Sequence, residues 1–270
     1  MVNEQMVHAM IFCAGLGTRL KPLTDTMPKA LVPLAGKPLL QWQVERLRDA
    51  GITDIIVNVH HFPDMIIDTV RRNNGWGCNI LISDERDQLL DTGGGLKKAL
   101  THYTLHHTPI LACNVDILSN LDLRGLIDYW NNQITQNTPN TPNGLLVVSP
   151  RETQRYLLFD DDLTLRGWTN IKTGEVRPSS LHHSIIPSLR KLAFSGCQIL
   201  SPETLALLSQ MPDDKFSLID FYMSLCEKNL SPFTSHLSPL LKAYIPDAFR
   251  MMDVGKIDQI EEAERFAESL

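Results

Sequence analysis

Positive charge is in short supply. The 270 residues carry 25 Lys and Arg against 31 Asp and Glu, a formal net charge of −6 with His neutral. That balance argues against a general nucleic-acid binder, which usually carries a basic field. A few local cations can still hold a phosphate-bearing ligand. Long apolar runs are missing as well: nothing approaches the ~18 consecutive apolar residues of a membrane span. Met1 to Gln5 shows no charged segment followed by an apolar core and a cleavage site, so no secretory leader is expected. Cysteine is sparse, with Cys13, Cys78, Cys113, Cys197 and Cys226 widely spaced and never as CxxC. An odd, scattered set predicts reduced core thiols in a cytoplasmic protein rather than a zinc or redox site. There is no internal repeat and no hexapeptide β-helix pattern. Neither a GxGxxG dinucleotide fingerprint nor a GxxxxGK[ST] loop occurs.

What is present is ordinary globular composition, with 43% apolar and 21% charged residues. A chain of this length can bury a large core without disulfide staples. The first half alternates two periodicities. Strands are predicted over Val7–Cys13, Asp54–Val59, Asn79–Ser83 and Pro109–Asn114. Helices are predicted over Pro38–Ala50, Asp64–Asn73, Gly94–His102 and Leu123–Ile134. Such alternation points to βαβ units and a parallel sheet, which binds ligands at the carboxyl ends of its strands. Thr135 to Asn143 reads as an exposed loop. The second half offers a hairpin (Tyr156–Phe159, Leu163–Trp168), strands at Leu192–Leu200 and Lys242–Ile245, and helices at Pro202–Ser209 and Ser217–Lys228. A final amphipathic helix over Ile257–Ala267 turns Ile257, Ile260, Ala263 and Ala267 to the core.

The chemistry-bearing segment is Ala14-Gly15-Leu16-Gly17-Thr18-Arg19-Leu20, directly after the first strand. Two glycines spaced by one let backbone N–H groups turn toward an anion, and Thr18 and Arg19 add donors. By itself this pattern fits a tight strand-exit turn equally well. It continues, however, through Thr26-Met27-Pro28-Lys29-Ala30-Leu31-Val32-Pro33-Leu34-Ala35-Gly36-Lys37-Pro38-Leu39. The whole resembles the sugar-1-phosphate nucleotidylyltransferase family, whose pattern runs AGxGTRLxPLT…PKxLVPxxGKPL. The resemblance spans about Met10 to Phe266 and is looser around 135–190.

The resemblance implies a Rossmann-like three-layer α/β/α fold with a predominantly parallel mixed sheet, the nucleotide-diphospho-sugar transferase fold. One domain over 1–270 is expected, with nucleotide contacts mainly in 1–150 and sugar-phosphate contacts mainly in 151–270. It implies nucleotide contacts from Ala14, Gly15, Gly17, Thr18 and Arg19, and from Thr92, Gly93 and Gly94 of a second glycine-rich segment at a helix entrance. Lys29 is implied between the nucleotide phosphates and the sugar phosphate. Asp116, at the end of an apolar strand, and Asp253, in an Asp-Val-Gly segment, are implied ligands of Mg2+. Val115 stands where the family commonly has glycine. Lys172 and Gly196 are implied on the sugar-phosphate side, although Ile171 stands where many members have Glu. Asn170 or Glu175 is expected to substitute there in recognising the sugar hydroxyls. Asp220 reads simply as a first-turn helix residue. Arg19, Lys29, Asp116 and Asp253 form the expected catalytic set.

The His pairs His60-His61, His106-His107 and His182-His183 fit loop or surface roles better than chelation, since neighbours on a strand face opposite sides. Trp42 and Trp130 fit packing roles, and Trp168 is the tryptophan to expect near a sugar. The implied reaction joins an NTP and a sugar 1-phosphate into an NDP-sugar and pyrophosphate. The short members it most resembles pair UTP with N-acetylmuramate 1-phosphate, or GTP with a hexose or heptose 1-phosphate. Two alternatives remain open: a cytidylyltransferase acting on phosphocholine or a similar phospho-alcohol, and a non-catalytic nucleotide-sugar-binding regulator. The expected partners are small-molecule substrates, with no nucleic acid and no membrane. The chain is expected to be a monomer or homodimer.

Overall fold

The computed structural model describes residues 7–103, 108–136, 138, 141–230 and 240–270. β1 (His8–Phe12) leads through a small hairpin, β2 (Pro33–Leu34) and β3 (Lys37–Pro38), into α1 (Leu39–Asp49). Then come β4 (Asp54–Val59), α2 (Pro63–Arg72), β5 (Asn79–Asp84), α3 (Asp91–Tyr103), β6 (Ile110–Asn114), β7 (Ile117–Ser119) and α4 (Leu123–Gln136). The second half adds β8 (Gly144–Ser149), β9 (Arg155–Phe159), β10 (Leu165–Asn170), β11 (Glu175–Arg177) and β12 (Arg190–Leu200). It closes with α5 (Pro202–Ser209), α6 (Leu218–Leu230), β13 (Leu241–Tyr244), β14 (Met251–Asp253) and α7 (Ile260–Glu268).

The main sheet runs β11-β10-β9-β12-β6-β1-β4-β5, with β8 paired to β12 and β13 to β8. Pairing is parallel through β6, β1, β4 and β5. β12 joins this block antiparallel to β6, and β9, β10 and β11 continue antiparallel. Strand alternation separates two apolar layers. Ala9, Ile11, Ile55, Val57 and Leu111 face one way, against Leu40 and Val44 of α1, Leu126 and Trp130 of α4 and Ala263 of α7. Met10, Phe12, Ile56 and Ala112 face the other way, against Leu96 and Leu100 of α3, Leu205 of α5 and Phe221 of α6. The result is the expected three layers.

Local chemistry sets the helix ends. Past α1, Gly51 takes φ +91°, its N–H reaches Arg48 O at 2.8 Å and the Ile52 N–H reaches Leu47 O at 2.9 Å. This is the six-to-one and five-to-two closure that a left-handed glycine allows. Before α6, Ser217 and Asp220 cap reciprocally: Asp220 Oδ2 accepts the Ser217 N–H at 3.0 Å, and Ser217 Oγ accepts the Asp220 N–H at 3.1 Å.

Three expectations need correction. The helix predicted from Gly94 starts at Asp91, so its glycines lie inside the first turns and form no entrance loop. Ile257 falls in a 3-10 turn before α7 and is 44% exposed, so the buried face is Ala263 and Ala267. The segment read as a loop from Thr135 is still helical to Gln136; residues 137, 139 and 140 lie outside the described residues.

Candidate active site

Both glycine-rich segments and both candidate acids belong to the carboxyl edge of the parallel block. β1 ends at Phe12, and the Cys13 N–H is held by Asn58 Oδ1 at 2.8 Å. A side chain at Gly15 would meet nothing within 4 Å, so this stretch of backbone is open to the cleft. Gly17 is different. At φ +63° its missing Cβ would fall 2.8 Å from Thr24 and 3.0 Å from Lys29, so only glycine fits the bend. Thr24 Oγ1 donates to Gly17 O at 2.9 Å and fixes the turn. A 3-10 turn over Lys29–Leu31 then directs the Lys29 side chain inward, where the residue is 8% exposed. Its ammonium donates to Asp116 Oδ2.

Asp116 follows β6 directly. Asp253 ends β14, which runs antiparallel to β7 with Asp253 opposite Ile117. The Val254 N–H donates to Asp116 O at 2.8 Å, so the turn that carries Asp116, between β6 and β7, lies against the end of β14. Arg19 completes the group, with its guanidinium 3.7 Å from Asp253 Oδ2. The Asp253 side chain is half-exposed, yet surrounding protein desolvates it and pushes its pKa up. The neighbouring Asp116 charge adds to that rise, while Lys29, Arg19 and Arg151 oppose it. Gly255 leaves room for both partners: a Cβ there would lie 2.6 Å from Asp253 Oδ1 and 2.9 Å from Arg19. A cleft of about 440 Å³ is lined by Gly15, Gly17, Arg19, Lys29, Thr92 and Asp116, among others.

Two repelling carboxylates supply hard oxygen donors of the kind Mg2+ takes, together with waters and substrate phosphates. Among the described residues no cluster of three or more His, Cys, Asp or Glu could hold a metal alone. The donor set therefore fits an ion completed by substrate oxygens and does not fit a closed structural site.

The other expected residues are distributed unevenly. Thr92 lines the cleft, but its Oγ1 accepts the Leu218 N–H at 3.0 Å. The Gly93 and Gly94 N–H groups both go to Phe216 O, at 2.9 and 3.1 Å. Cβ atoms there would fall 2.4 Å from the Phe216 ring and 2.0 Å from Asp214 O. These glycines are needed for packing against the chain before α6, and their amides are not turned to a ligand. Gly196, at φ +74°, packs on Asn114, with a Cβ position 2.8 Å from Asn114 Nδ2. Asn170 Oδ1 accepts the Lys172 N–H at 3.0 Å in the turn between β10 and β11, where Lys172 is exposed. Trp168 lies beneath the Arg177 guanidinium at 5.9 Å. Asp220 does more than open a helix: it binds Arg177 at 2.6 Å.

His60 and His61 reach the Glu85 and Thr24 carbonyls at 2.7 and 3.1 Å, and His182 pairs with Ser184 Oγ at 2.7 Å. The pair His106-His107 lies outside the described residues. All five cysteines are free thiols. Burial pushes the Cys113 thiol up to about 12, so it is no ready nucleophile.

Sequence reasoning missed Glu85 and Asn58. Glu85 is fully buried and accepts from Asn58 Nδ2 at 2.7 Å and from the Leu90 N–H at 3.2 Å. Asn58 also holds Cys13, so one buried polar chain ties the first glycine loop to the start of α3. Gly95 leaves the space, since its Cβ would lie 2.6 Å from Glu85 Oε1. The available signal was a lone Asn inside the apolar strand Asp54–Val59.

The nucleotidyl transferase family model matches residues 8–140. An N-acetylmuramate alpha-1-phosphate uridylyltransferase of Neisseria meningitidis serogroup B is 35% identical over 161 residues, 55% of this chain and 68% of that protein. The chain belongs to the nucleotidyl transferase family. An N-acetylmuramate alpha-1-phosphate uridylyltransferase of Caulobacter vibrioides is 46% identical over 110 residues, 40% of this chain and 45% of that protein's length. A mannose-1-phosphate guanyltransferase of Saccharomyces cerevisiae is 35% identical over 124 residues, which is 46% of this chain and 34% of that protein. Among solved structures, HddC from Yersinia pseudotuberculosis complexed with GMP-PN superposes with a TM-score of 0.68 at 23% identity, covering 97% of this chain and 100% of that one. An apo UDP-glucose pyrophosphorylase gives 0.71 at 17%, covering 98% and 100%. These two show a shared fold, the nucleotide-diphospho-sugar transferase fold.

Proposed function

We propose that this nucleotidyl transferase makes an NDP-sugar and pyrophosphate from an NTP and a sugar 1-phosphate. The observation that carries the reading is the meeting of Asp116, Asp253, Lys29 and Arg19 beside the open backbone at Gly15. In this reading the acceptor phosphate oxygen attacks the α-phosphorus in line and pyrophosphate leaves on the far side. No covalent intermediate on the protein is needed. Such chemistry depends on fixed positive charge around developing anions. Arg19 and the Ala14–Thr18 backbone hold the triphosphate, in the cleft that Thr92 also lines. Lys29 is buried with Asp116 holding its ammonium in place, and in this reading it neutralises charge between the two phosphate groups. Asp116 and Asp253 would hold Mg2+, which would supply positive charge that offsets the repulsion between the two phosphate groups.

The two uridylyltransferase relatives favour UTP and N-acetylmuramate 1-phosphate as the pair, with GTP and a hexose or heptose 1-phosphate second. The continuous sheet supports treating 1–270 as one catalytic domain. No described helix is long and apolar enough to cross a membrane, and a cytoplasmic site of action goes with a substrate pair of this kind. A panel of four NTPs against N-acetylmuramate, mannose and heptose 1-phosphates and phosphocholine, read by pyrophosphate release with Mg2+, tests the reading. Turnover with phosphocholine and CTP alone would move the chain to the cytidylyltransferase alternative. Tight binding of a nucleotide sugar with no turnover would make it a regulator.

A further inference from the structure

Arg19 and Lys29 approach the carboxylate pair from the nucleotide half, and a third cation approaches from the other. We propose that Arg151 clamps the phosphate of the incoming sugar 1-phosphate. The proposal rests on the nucleotidylyltransferase reading and extends it to a residue outside the family motifs quoted above.

Arg151 follows β8 at the carboxyl edge of the sheet. One of its N–H groups donates to Phe194 O at 3.0 Å. Phe194 begins the register shift of β12 against β8 that contains Ser195 and Gly196, and Gly196 packs on Asn114. The guanidinium is thereby anchored to β12, whose Gly196 packs on Asn114 at the end of β6. It lies within electrostatic reach of Asp253, alongside Lys29 and Arg19. Two arginines of this half are engaged with carboxylates, Arg166 with Asp160 and Arg177 with Asp220. Among the described residues no carboxylate forms a salt bridge with Arg151. A guanidinium carries five N–H donors in a fork that fits phosphate two at a time. One donor on a carbonyl leaves the rest for a ligand.

The loop is held in place beforehand. The Thr153 N–H donates to Tyr156 Oη at 3.0 Å, and the Ile171 N–H donates to Gln154 O at 2.8 Å. Fixing a binding group before the ligand arrives lowers the ordering cost of binding. Lys172, the cation expected here from the sequence, sits exposed in a turn closed by Asn170.

The test compares wild type with R151M and R151K, using UTP with N-acetylmuramate 1-phosphate and GTP with mannose 1-phosphate. R151M is expected to raise the acceptor KM by about 10- to 100-fold, the scale of a lost charge-assisted phosphate contact, with the NTP KM unchanged. R151K should recover part of the loss. Calorimetry with N-acetylmuramate 1-phosphate against unphosphorylated N-acetylmuramate should show a phosphate preference in wild type that R151M loses. An unchanged acceptor KM, or an equal rise in the NTP KM, overturns the assignment. Should wild type release no pyrophosphate with any pair, the reaction reading fails separately. The calorimetric comparison then decides Arg151 alone, and equal affinities for wild type and R151M overturn it.

Discussion

Lys29 donates a hydrogen bond to the carboxylate of Asp116 across 87 residues of sequence. The contact joins the loop after β1 to the end of β6, neighbours in the sheet through the pair Phe12 and Asn114. Neither side chain is free to drift, because Lys29 is packed and Asp116 is tied through its carbonyl to Val254. Lys29→Ala is expected to lower kcat by about 10²–10³, the usual loss when one preorganised donor leaves a transition state. Steady-state pyrophosphate release measures it, and near-wild-type turnover would remove Lys29 from the mechanism.

The carboxylate pair makes metal binding pH-dependent. Desolvation, then the Asp116 charge, raises the Asp253 pKa, so protons compete with the ion at higher pH than they would at an unperturbed Asp. Mn2+ affinity, followed by electron paramagnetic resonance as a stand-in for Mg2+, should fall as pH drops through that raised value. With Asp116→Asn the repulsion disappears, and the remaining fall should shift to lower pH. A fall confined to the ordinary Asp range in wild type would contradict the coupling.

The glycines separate into two kinds, and alanine should reveal it. At Gly15 a Cβ meets nothing, so Gly15→Ala should keep the melting temperature and raise the NTP KM. At Gly94 the Cβ would fall 2.0 Å from Asp214 O. Gly94→Ala should cost about 1–3 kcal/mol as overpacking does. That corresponds to a drop of a few degrees, about 2–4 °C per kcal/mol for a chain of this size. Thermal melts and KM measurements on the two variants check the contrast.

Glu85 predicts a pH effect on stability of a definite sign. Burial raises its folded pKa despite hydrogen bonds from Asn58 and Leu90 that pull the other way. Between its unfolded and folded values the native state holds the extra proton, so its stabilising contribution is full at lower pH. That contribution is lost as pH rises through the folded value. Glu85→Gln should flatten this limb of a denaturation series across pH. Glu85→Ala leaves Asn58 Nδ2 and the Leu90 N–H without their acceptor and should cost about 1–3 kcal/mol.

The parallel block was legible because its strands and helices carry clean periodicities, and Asp54–Val59 comes out with the expected bounds, as does Pro202–Ser209 in the second half. The first glycine loop and the two acids were legible through contiguous motifs. The packing role of Gly93 and Gly94 was not. A run of glycines looks the same whether a ligand or the Asp214–Phe216 chain presses on it, and that segment is more than 100 residues away. Asn58 and Glu85 were invisible for a related reason: each is a single polar residue whose meaning comes from a partner across strands. Ile257 was misplaced because a 3-10 turn rotates it off the helical face that Ala263 and Ala267 occupy.

The central claim is that Asp116 and Asp253 act as one metal and phosphate site. Pyrophosphate release by wild type, Asp116→Asn and Asp253→Asn, titrated with Mg2+ at saturating UTP and N-acetylmuramate 1-phosphate, tests it most directly. The account predicts turnover that requires the ion and falls by about 10²-fold or more when either acid is neutralised. Turnover without a divalent ion, or full turnover by Asp253→Asn, would contradict it.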